Sequence, residues 1–252
     1  MRFIKKCCKA FLMSLSMFTV IPCPFKIWDE EARPLMTLLL PFVGALIGGL
    51  WALIAFLLKL VGAPPLVSGL VLMAYPFIIT GGIHMDGFLD TVDAVKSWRD
   101  VEERRRILKD PHVGSFAVIS CCLLILAQFA LFSSAKETTN FFTLILIPAV
   151  SRAVAALCVT MLRPLSVSEY SGAYQKGIKK THIVFLSVLL AVIIALGFVF
   201  LGKYGFASAA VIAGYLMFLA RGFKSLDGMS GDISGYAMTF GELCGIAVYA
   251  LI

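Results

Sequence analysis

Long, nearly uninterrupted apolar stretches most limit how this chain can fold. They cover about residues 35–58, 64–83, 113–134, 139–162, 183–201, 204–221 and 234–252. A stretch of about 18–20 apolar residues can cross the hydrocarbon core of a bilayer as one α-helix. Of the 252 residues, 60% are hydrophobic, and the mean hydropathy is +0.94. We therefore expect an all-α fold, a polytopic transmembrane helical bundle of about seven spans, and exclude a soluble domain.

A shorter apolar segment, from Ala10 to Phe25, precedes these stretches and ends in Pro22 and Pro24. It is too short to span in the usual way, so we expect it to lie in the membrane interface or to re-enter. No internal repeat or low-complexity linker divides the chain. We expect residues 1–252 to form a single integral membrane catalytic domain.

The positive charges predict how the bundle is oriented. Most of the 22 Lys and Arg residues fall in the N-terminal arm and in the segments after the second, fourth and sixth stretches; the exceptions are Lys59, Lys136, Lys203 and Arg152. Basic residues favour the cytoplasmic side. We therefore expect a multi-pass protein of the bacterial cytoplasmic (inner) membrane, with its polar chemistry facing the cytoplasm. The net charge of +7 then reflects this bias, and we expect no nucleic-acid partner.

Three aspartates follow the second apolar stretch, in the segment GGIHMDGFLDTVDAV. Gly81 and Gly82 should break the span and let a new helix begin near Met85. Asp86, Asp90 and Asp93 stand at i, i+4 and i+7, within roughly 40° of one another on one helical face. Because the only basic residue at a compensating position is Lys96, beside Asp93, these like charges need another neutralising partner. A carboxylate set of this kind suits Mg²⁺ or Mn²⁺, shared with a substrate phosphate. The alternative is a solvated face with acids near a helix N-terminus.

Residues that flank the aspartates admit several interpretations. His84 could bind phosphate, act as a base, or lie at the interface without a chemical role. Asp110 could cap the next helix, with His112 and Gly114 then letting a phosphate approach the helix N-terminus. The run Arg104-Arg105-Arg106 could attract an anionic substrate, although such runs more often anchor the cytoplasmic side.

A second polar cluster lies in the segment LDGMSGDISGYAMTFGELCG. Asp232 stands among glycines, and Glu242 falls well inside the last apolar stretch. A carboxylate at that depth is costly unless it faces a polar cavity, binds a cation or pairs with a charge. Arg152, within the fourth span, is the candidate partner. Both ideas are compatible with a substrate cavity that contains Arg152, Asp232 and Glu242.

Taken together, these segments resemble the cobalamin synthase family, the adenosylcobinamide-GDP ribazoletransferases. The matching pieces run in the family's order through nearly the whole chain: FTVIPCP (Phe18–Pro24), PFVGALIGG (Pro41–Gly49), GGIHMDGFLDTVDA (Gly81–Ala94), KDPHVGSFAV (Lys109–Val118), SRAVAAL (Ser151–Leu157) and GMSGDISGYAMTFGEL (Gly228–Leu243). The aspartate run is the most specific of them. The chain departs from the family at His112, where an arginine is usual.

The resemblance implies a phosphotransferase at the last stage of cobalamin biosynthesis, with Mg²⁺ as cofactor. It would join adenosylcobinamide-GDP to α-ribazole or its 5′-phosphate and release GMP. Asp86 and Asp90 would hold the metal. Asp93 would complete the metal shell or accept the proton of the attacking hydroxyl, and His84 is the rival base. Diphosphate cleavage needs this kind of charge neutralisation and in-line positioning.

Two other functions fit parts of the same pattern. A membrane phosphotransferase with a lipid alcohol as acceptor would use the aspartates in the same way. A transporter of divalent cations or a corrinoid should instead spread its acids through the membrane midplane, whereas here they crowd one face. The sequence leaves open whether copies of the chain form a homo-oligomer.

Overall fold

The computed structural model describes residues 2–23, 28–136, 139–165, 175 and 177–252. These residues form mainly helices: α1 (Arg2–Phe18), α2 (Arg33–Leu60), α3 (Pro65–Ile79), α4 (Ile83–Lys96), α5 (Val101–Ile107), α6 (Ser115–Ser133), α7 (Thr143–Met161), α8 (Lys180–Leu201), a 3₁₀ turn (Gly202–Gly205), α9 (Phe206–Leu226) and α10 (Gly231–Leu251). Within these ranges, the only β pairing reported is an isolated bridge between Pro164 and Met229. The expected all-α class is confirmed.

A helix occupies each of the seven apolar stretches, but a count of seven membrane crossings is not confirmed. In the described part of the chain, four helical stretches are long and apolar enough to cross a membrane: Arg33–Leu60, Ser115–Ser133, Thr143–Met161 and Lys180–Leu226. The bent pair α3–α4 would make a fifth if it counts as one broken span. The helix α10, which carries Asp232 and Glu242, is not among them.

The long stretch Lys180–Leu226 contains a reversal of the chain. A Cβ placed on Gly205 would lie 2.8 Å from the Cα atom of Phe198. Seven residues along a continuous helix would be separated by about 10 Å. The chain therefore turns back at Gly202–Gly205, and α8 and α9 form a helical hairpin.

The helix α10 lies at the centre of the bundle. It packs against α4, α6, α7 and α9, while α7 also contacts α2 and α8. Tyr215, Ile147 and Ile246 belong to the main buried cluster. By contrast, α8 is apolar on nearly all sides and buries little of its surface, as expected for a helix at the lipid boundary.

Close helix packing in this bundle uses small residues. On α2, a Cβ added at Gly44 would lie 2.3 Å from the carbonyl oxygen of Pro148, and one at Gly48 would lie 2.6 Å from that of Leu144. The two backbones could not approach so closely with larger side chains, which explains the Gly-x-x-x-Gly spacing.

The loops separate into two ends of the bundle. At one end, Arg105 and Arg163 both contact Asp227, which brings together the segments after α4, α7 and α9. At the other end, the ammonium group of Lys203 donates to the carbonyl oxygen of Ile252 at 2.7 Å. The described basic loops thus meet at one end, as the charge pattern predicts; Lys26 and Lys176 lie outside the described residues.

The helix α1 and the turn after α3 contribute to the end of the bundle where the basic loops meet, which we call the polar end. α1 is amphipathic and packs on α2 through Ala10 and Met13, against Ala32 and Met36. Gly81 and Gly82 have φ angles of +61° and +78°, a left-handed conformation that glycine adopts readily. The chain bends by 90° there, and α4 begins at Ile83, two residues earlier than the sequence suggests.

Candidate active site

The helix α4 places Asp86 and Asp90 at the polar end of the bundle. Asp86 is exposed, whereas Asp90 is half-buried. The carboxylates of Asp86, Asp93 and Asp232 are near enough to Asp90 to oppose its negative charge. Among the described residues, no Lys or Arg forms an ion pair with any of these four side chains. Within the described part of the chain, no ion pair with a basic side chain therefore relieves their mutual repulsion.

Lys96 does not serve as the counter-charge of the cluster. Its ammonium group donates to the hydroxyl of Ser120 at 2.8 Å, on α6. The one basic residue that the helical spacing places beside Asp93 is thus used to join α4 to α6. This strengthens the case for a neutralising group that is not a protein side chain.

Asp93 differs from its two neighbours because both of its oxygens already have partners. The backbone N–H of Gly114 donates to Oδ2, and that of Ala117 donates to Oδ1 at 3.0 Å. Gly114 is the N-cap residue of α6 and has no capping side chain of its own. Asp93 therefore caps α6 from a distance of 21 residues in sequence.

Asp232 joins the cluster from the first turn of α10. A Cβ on Gly87 would lie 2.8 Å from the Cα atom of Asp232, so the two helices touch through their backbones. Gly235 makes a similar approach to the carbonyl oxygen of His84, at 3.1 Å from its added Cβ. Two glycines thus bring Asp232 to the carboxylates of α4.

A cavity of about 350 Å³ opens beside Asp232. It lies between α1, α2, α4, α7 and α10, and His84 and Asp232 are its titratable lining residues. The rest of the wall is mainly apolar. An apolar pocket of this volume with a few convergent polar groups is typical of a small-molecule site.

Arg152 and Glu242 form a buried ion pair. A guanidinium N–H of Arg152 donates to Oε1 of Glu242, and the hydroxyl of Ser151 donates to the same oxygen at 2.7 Å. The side chain of Arg152 is 2% exposed and that of Glu242 is 13% exposed. The two charges therefore neutralise each other inside the bundle, with His84 and Gln128 beside them in a small cleft.

The comparison with known proteins decides the family. A family model described as cobalamin-5-phosphate synthase matches residues 10–250. This chain belongs to the cobalamin-5-phosphate synthase family. A relative in Clostridium perfringens (strain 13 / Type A) is 36% identical over 97% of this chain and 98% of its own length. Relatives in Clostridium botulinum (strain Alaska E43 / Type E3) and Listeria monocytogenes serovar 1/2a are 35% and 31% identical, over 96% and 97% of this chain and 97% of each relative.

All three of these relatives carry the name adenosylcobinamide-GDP ribazoletransferase. No solved structure is significantly similar to the chain. The family expected from the motifs is confirmed, and membership of the cobalamin-5-phosphate synthase family disfavours the transporter and the lipid-alcohol transferase.

The residues of the loop before α6 that the sequence suggests for substrate binding contact one another or Asp93. Asp110 does not cap α6; its Oδ1 accepts the backbone N–H of His112 at 2.9 Å. These contacts with His112 hold the pKa of the Asp110 carboxyl below its ordinary value. The imidazole of His112 is 89% exposed, and the N–H of Gly114 is taken by Asp93. Asp110, His112 and Gly114 are therefore not gathered around one ligand position.

The guanidinium of Arg105 is hydrogen-bonded to the end of α9. Its Nε donates to the carbonyl oxygen of Leu226 at 2.9 Å and its Nη2 to that of Asp227 at 3.1 Å. Cations at the carbonyl end of a helix are stabilising. The structure thus uses Arg105 to cap α9 and to hold the loop that leads to Asp232.

Sequence reasoning assigns no role to Phe18 or Thr37, yet both line the cavity. Phe18 is the first residue of the Phe18–Pro24 motif, and that motif could have marked it as a candidate site residue. Thr37 lies in an apolar run of α2 with no distinguishing neighbour. Its position at the cavity emerges only from the packing of α2 against α1 and α7.

Proposed function

We propose that this protein joins adenosylcobinamide-GDP to α-ribazole, or to α-ribazole 5′-phosphate, and releases GMP. The observation that carries this proposal is the meeting of Asp86, Asp90 and Asp232, with no ion pair to a described Lys or Arg, beside an apolar cavity. The names of the relatives supply the substrates. The same features agree with a membrane phosphotransferase that handles both a diphosphate and an apolar acceptor.

In the proposed reaction, a ribose hydroxyl of the acceptor attacks the phosphorus attached to the corrinoid's aminopropanol arm. The new P–O bond leaves a phosphodiester, and the P–O bond to the GMP phosphate breaks. The hydroxyl proton passes to a base on the protein. Of the two candidates, we favour His84, because Nε2 has no hydrogen-bond partner while both oxygens of Asp93 accept amide N–H groups.

Mg²⁺ fits the donor set, although the protein alone does not enclose it. Among the described residues, no three His, Cys, Asp or Glu side chains are arranged to hold a metal ion by themselves. Mg²⁺ usually binds one or two carboxylates and completes its shell with water and substrate phosphate oxygens. We propose Asp86 and Asp90 as its ligands, with Asp232 facing them and Asp93 fixing α4. When bound, the ion would neutralise charge on the diphosphate.

We also propose that the site faces the cytoplasm of a bacterial inner membrane. The loops after α4, α7 and α9 meet at this end, and the segments between α4 and α6 and between α7 and α8 carry eight of the 22 Lys and Arg residues. Arg152 and Glu242, which the sequence suggested as substrate contacts, would then lie deeper in the membrane. We propose that this ion pair supports His84 from behind.

Reconstitution of the purified protein in lipid nanodiscs tests the reaction. With Mg²⁺, adenosylcobinamide-GDP and α-ribazole, we expect one GMP released per corrinoid product detected by mass spectrometry. The 5′-phosphate of α-ribazole should be compared in parallel. GMP release that requires an added lipid alcohol, or no release with either acceptor, would reject this function.

Chelation tests the cofactor separately. EDTA should abolish turnover, and added Mg²⁺ should restore it. Full activity of protein that has been freed of divalent ions by chelation and gel filtration would reject the metal role of Asp86 and Asp90.

A further inference from the structure

The cavity beside Asp232 has the shape and lining for a flat apolar ring system. Its volume of about 350 Å³ lies within the usual range for small-molecule pockets. Its apolar wall includes Met17, Phe18, Met36, Leu40 and Met238. Methionine side chains adapt to irregular shapes and make favourable contacts with aromatic rings. Apart from Asp232, the only titratable side chain among the described lining residues is that of His84.

Two rings that line this cavity, those of Phe18 and His84, are nearly parallel. The rings of Phe18 and His84 are inclined by 16°, and their centroids lie 6.3 Å apart. A third ring in contact with both would need roughly 7 Å between them, because carbon atoms pack at about 3.5 Å. The observed separation is close to that value, so a small outward movement of Phe18 would admit a planar heterocycle.

Thr37 is a polar residue of this wall, and a rotation of its side chain would bring its buried hydroxyl to the cavity. Thr37 is 5% exposed, and its Oγ1 has no hydrogen-bond partner in the described structure. A buried polar group without a partner costs about 1–3 kcal/mol. A ligand with a ring nitrogen that carries a lone pair would remove this cost by accepting the hydroxyl hydrogen.

We propose that this cavity holds the base of the acceptor nucleoside, stacked against Phe18 and His84, with its unsubstituted ring nitrogen accepting a hydrogen bond from Thr37. The inference rests on the proposed function and assigns the acceptor to a defined place within it. The ligand class is a nucleoside whose base is a planar, largely apolar nitrogen heterocycle. Asp232 then separates the base from the carboxylates of α4, so the ribose hydroxyl lies toward the diphosphate.

Stacking and base chemistry use different parts of His84. A stacked base contacts the face of the imidazole, whereas the ring nitrogens lie in its plane. His84 can therefore bind the acceptor base and still exchange a proton through a nitrogen. Phe18 has no such second role, which makes it the better residue for testing the stacking.

Two acceptor nucleosides that differ by one atom test the Thr37 contact. α-Ribazole has the unsubstituted ring nitrogen, and its indole analogue has C–H in that position. Their equilibrium binding to the nanodisc-reconstituted protein can be measured by calorimetry without adenosylcobinamide-GDP. We expect the unaltered protein to bind α-ribazole roughly 3- to 10-fold more tightly, the value of one hydrogen bond. Thr37→Val should bind both equally.

Thr143→Val is the matched control for this measurement. The hydroxyl of Thr143 is also buried without a hydrogen-bond partner, but it does not line the cavity. The control should keep the preference for α-ribazole. A Thr37→Val protein that keeps the preference, or that loses affinity for both nucleosides to the same extent, would overturn the contact.

Phe18→Leu tests the stacking with a side chain that stays apolar. We expect binding of α-ribazole to weaken roughly 10-fold or more, since stacking of one base on an aromatic ring contributes about 1–3 kcal/mol. In turnover, the KM for the acceptor should rise, while the KM for adenosylcobinamide-GDP stays unchanged. Phe42→Leu, on an exposed part of α2, should leave both values as they are.

The binding and transfer measurements separate the two proposals. Unchanged affinity for α-ribazole in Phe18→Leu would overturn the base site even if transfer proceeds normally. Binding that follows the expected pattern without GMP release would support the base site and reject the proposed reaction.

Discussion

At the scale of single residues, the aspartates of α4 have different surroundings despite their regular spacing. Asp86 and Asp90 have like charges nearby and no basic partner among the described residues, whereas Asp93 is held by two backbone N–H groups. A carboxylate with free oxygens can bind a cation, and one that already accepts two amides is better suited to fixing a helix. Asp86 and Asp90 thus keep oxygens that could bind a cation, whereas Asp93 holds α4 against α6.

Asp86→Asn and Asp90→Asn should each reduce turnover by at least ~10²-fold, the scale of losing one electrostatic contact in the transition state. Amide side chains keep the volume but remove the charge that would balance Mg²⁺. GMP release measures the effect. Glu102 is an exposed acid on the neighbouring α5, and the Glu102→Gln variant should release GMP at close to the normal rate. Near-normal activity of either aspartate variant would contradict the metal role.

The Arg152–Glu242 pair allows a test of whether these residues support the fold or bind substrate. Removing one partner of a buried ion pair costs about 3–5 kcal/mol, whereas replacing both with apolar residues is often tolerated. Arg152→Met and Glu242→Met should therefore each lower the melting temperature, and the double variant should regain most of it. Thermal unfolding in nanodiscs, followed by GMP release at a permissive temperature, measures both properties. A stable but inactive double variant would instead show that the pair acts in the reaction, either on the substrate or through His84.

At the scale of helices, the connection between α4 and α6 determines how rigidly the aspartates are held. Asp93 supplies the cap that Gly114 lacks, and Lys96 adds a hydrogen bond to Ser120. The first helix of this pair carries the carboxylates, and the second is long and apolar enough to cross the membrane. The cap therefore anchors the polar site to the membrane-embedded part of the bundle.

Gly114→Ala and Asp93→Ala should have similar effects, because both break the same contact. A Cβ on Gly114 would lie 2.3 Å from Oδ2 of Asp93, while the φ angle of −84° is one that alanine accepts. We expect each substitution to cost about 1 kcal/mol, the usual value of an N-cap. The double variant should lose little more unfolding free energy than either single variant. A double-mutant cycle of unfolding free energies would measure this. Additive losses would show that the two residues act independently.

At the scale of the whole molecule, the sequence predicts the helices better than the site. The hydropathy pattern predicts all the long helices, and Gly81 and Gly82 predict the bend before α4. The sequence suggests that Asp232 and Glu242 form the far wall of the aspartate site, but the distance between Asp232 and Asp90 depends on how closely α4 and α10 pack at Gly87. The pairing of Arg152 with Glu242 was one of two alternatives, since both residues fall within apolar stretches and an unpaired charge there is costly. The cavity at Phe18 and Thr37 is formed by five helices, and no single helix shows a sequence pattern that predicts it.

The arrangement of the two bundle ends predicts which residues face which side of the membrane. In a cysteine-free background, Lys203→Cys should react with an impermeant maleimide added to intact cells. Glu102→Cys should react only after the membrane is opened, because α5 lies at the end where the basic loops meet. Labelling of both from outside would contradict the single orientation. The reverse pattern would place the carboxylates on the exterior.

The right-angle bend at Gly81–Gly82 has a consequence for how the reactants travel. Because the chain turns aside there instead of continuing α3, α4 holds its carboxylates at the end of the bundle where the basic loops meet. In the proposed reaction, the nucleotide substrate would then arrive and the mononucleotide would depart on one side of the membrane, without crossing lipid.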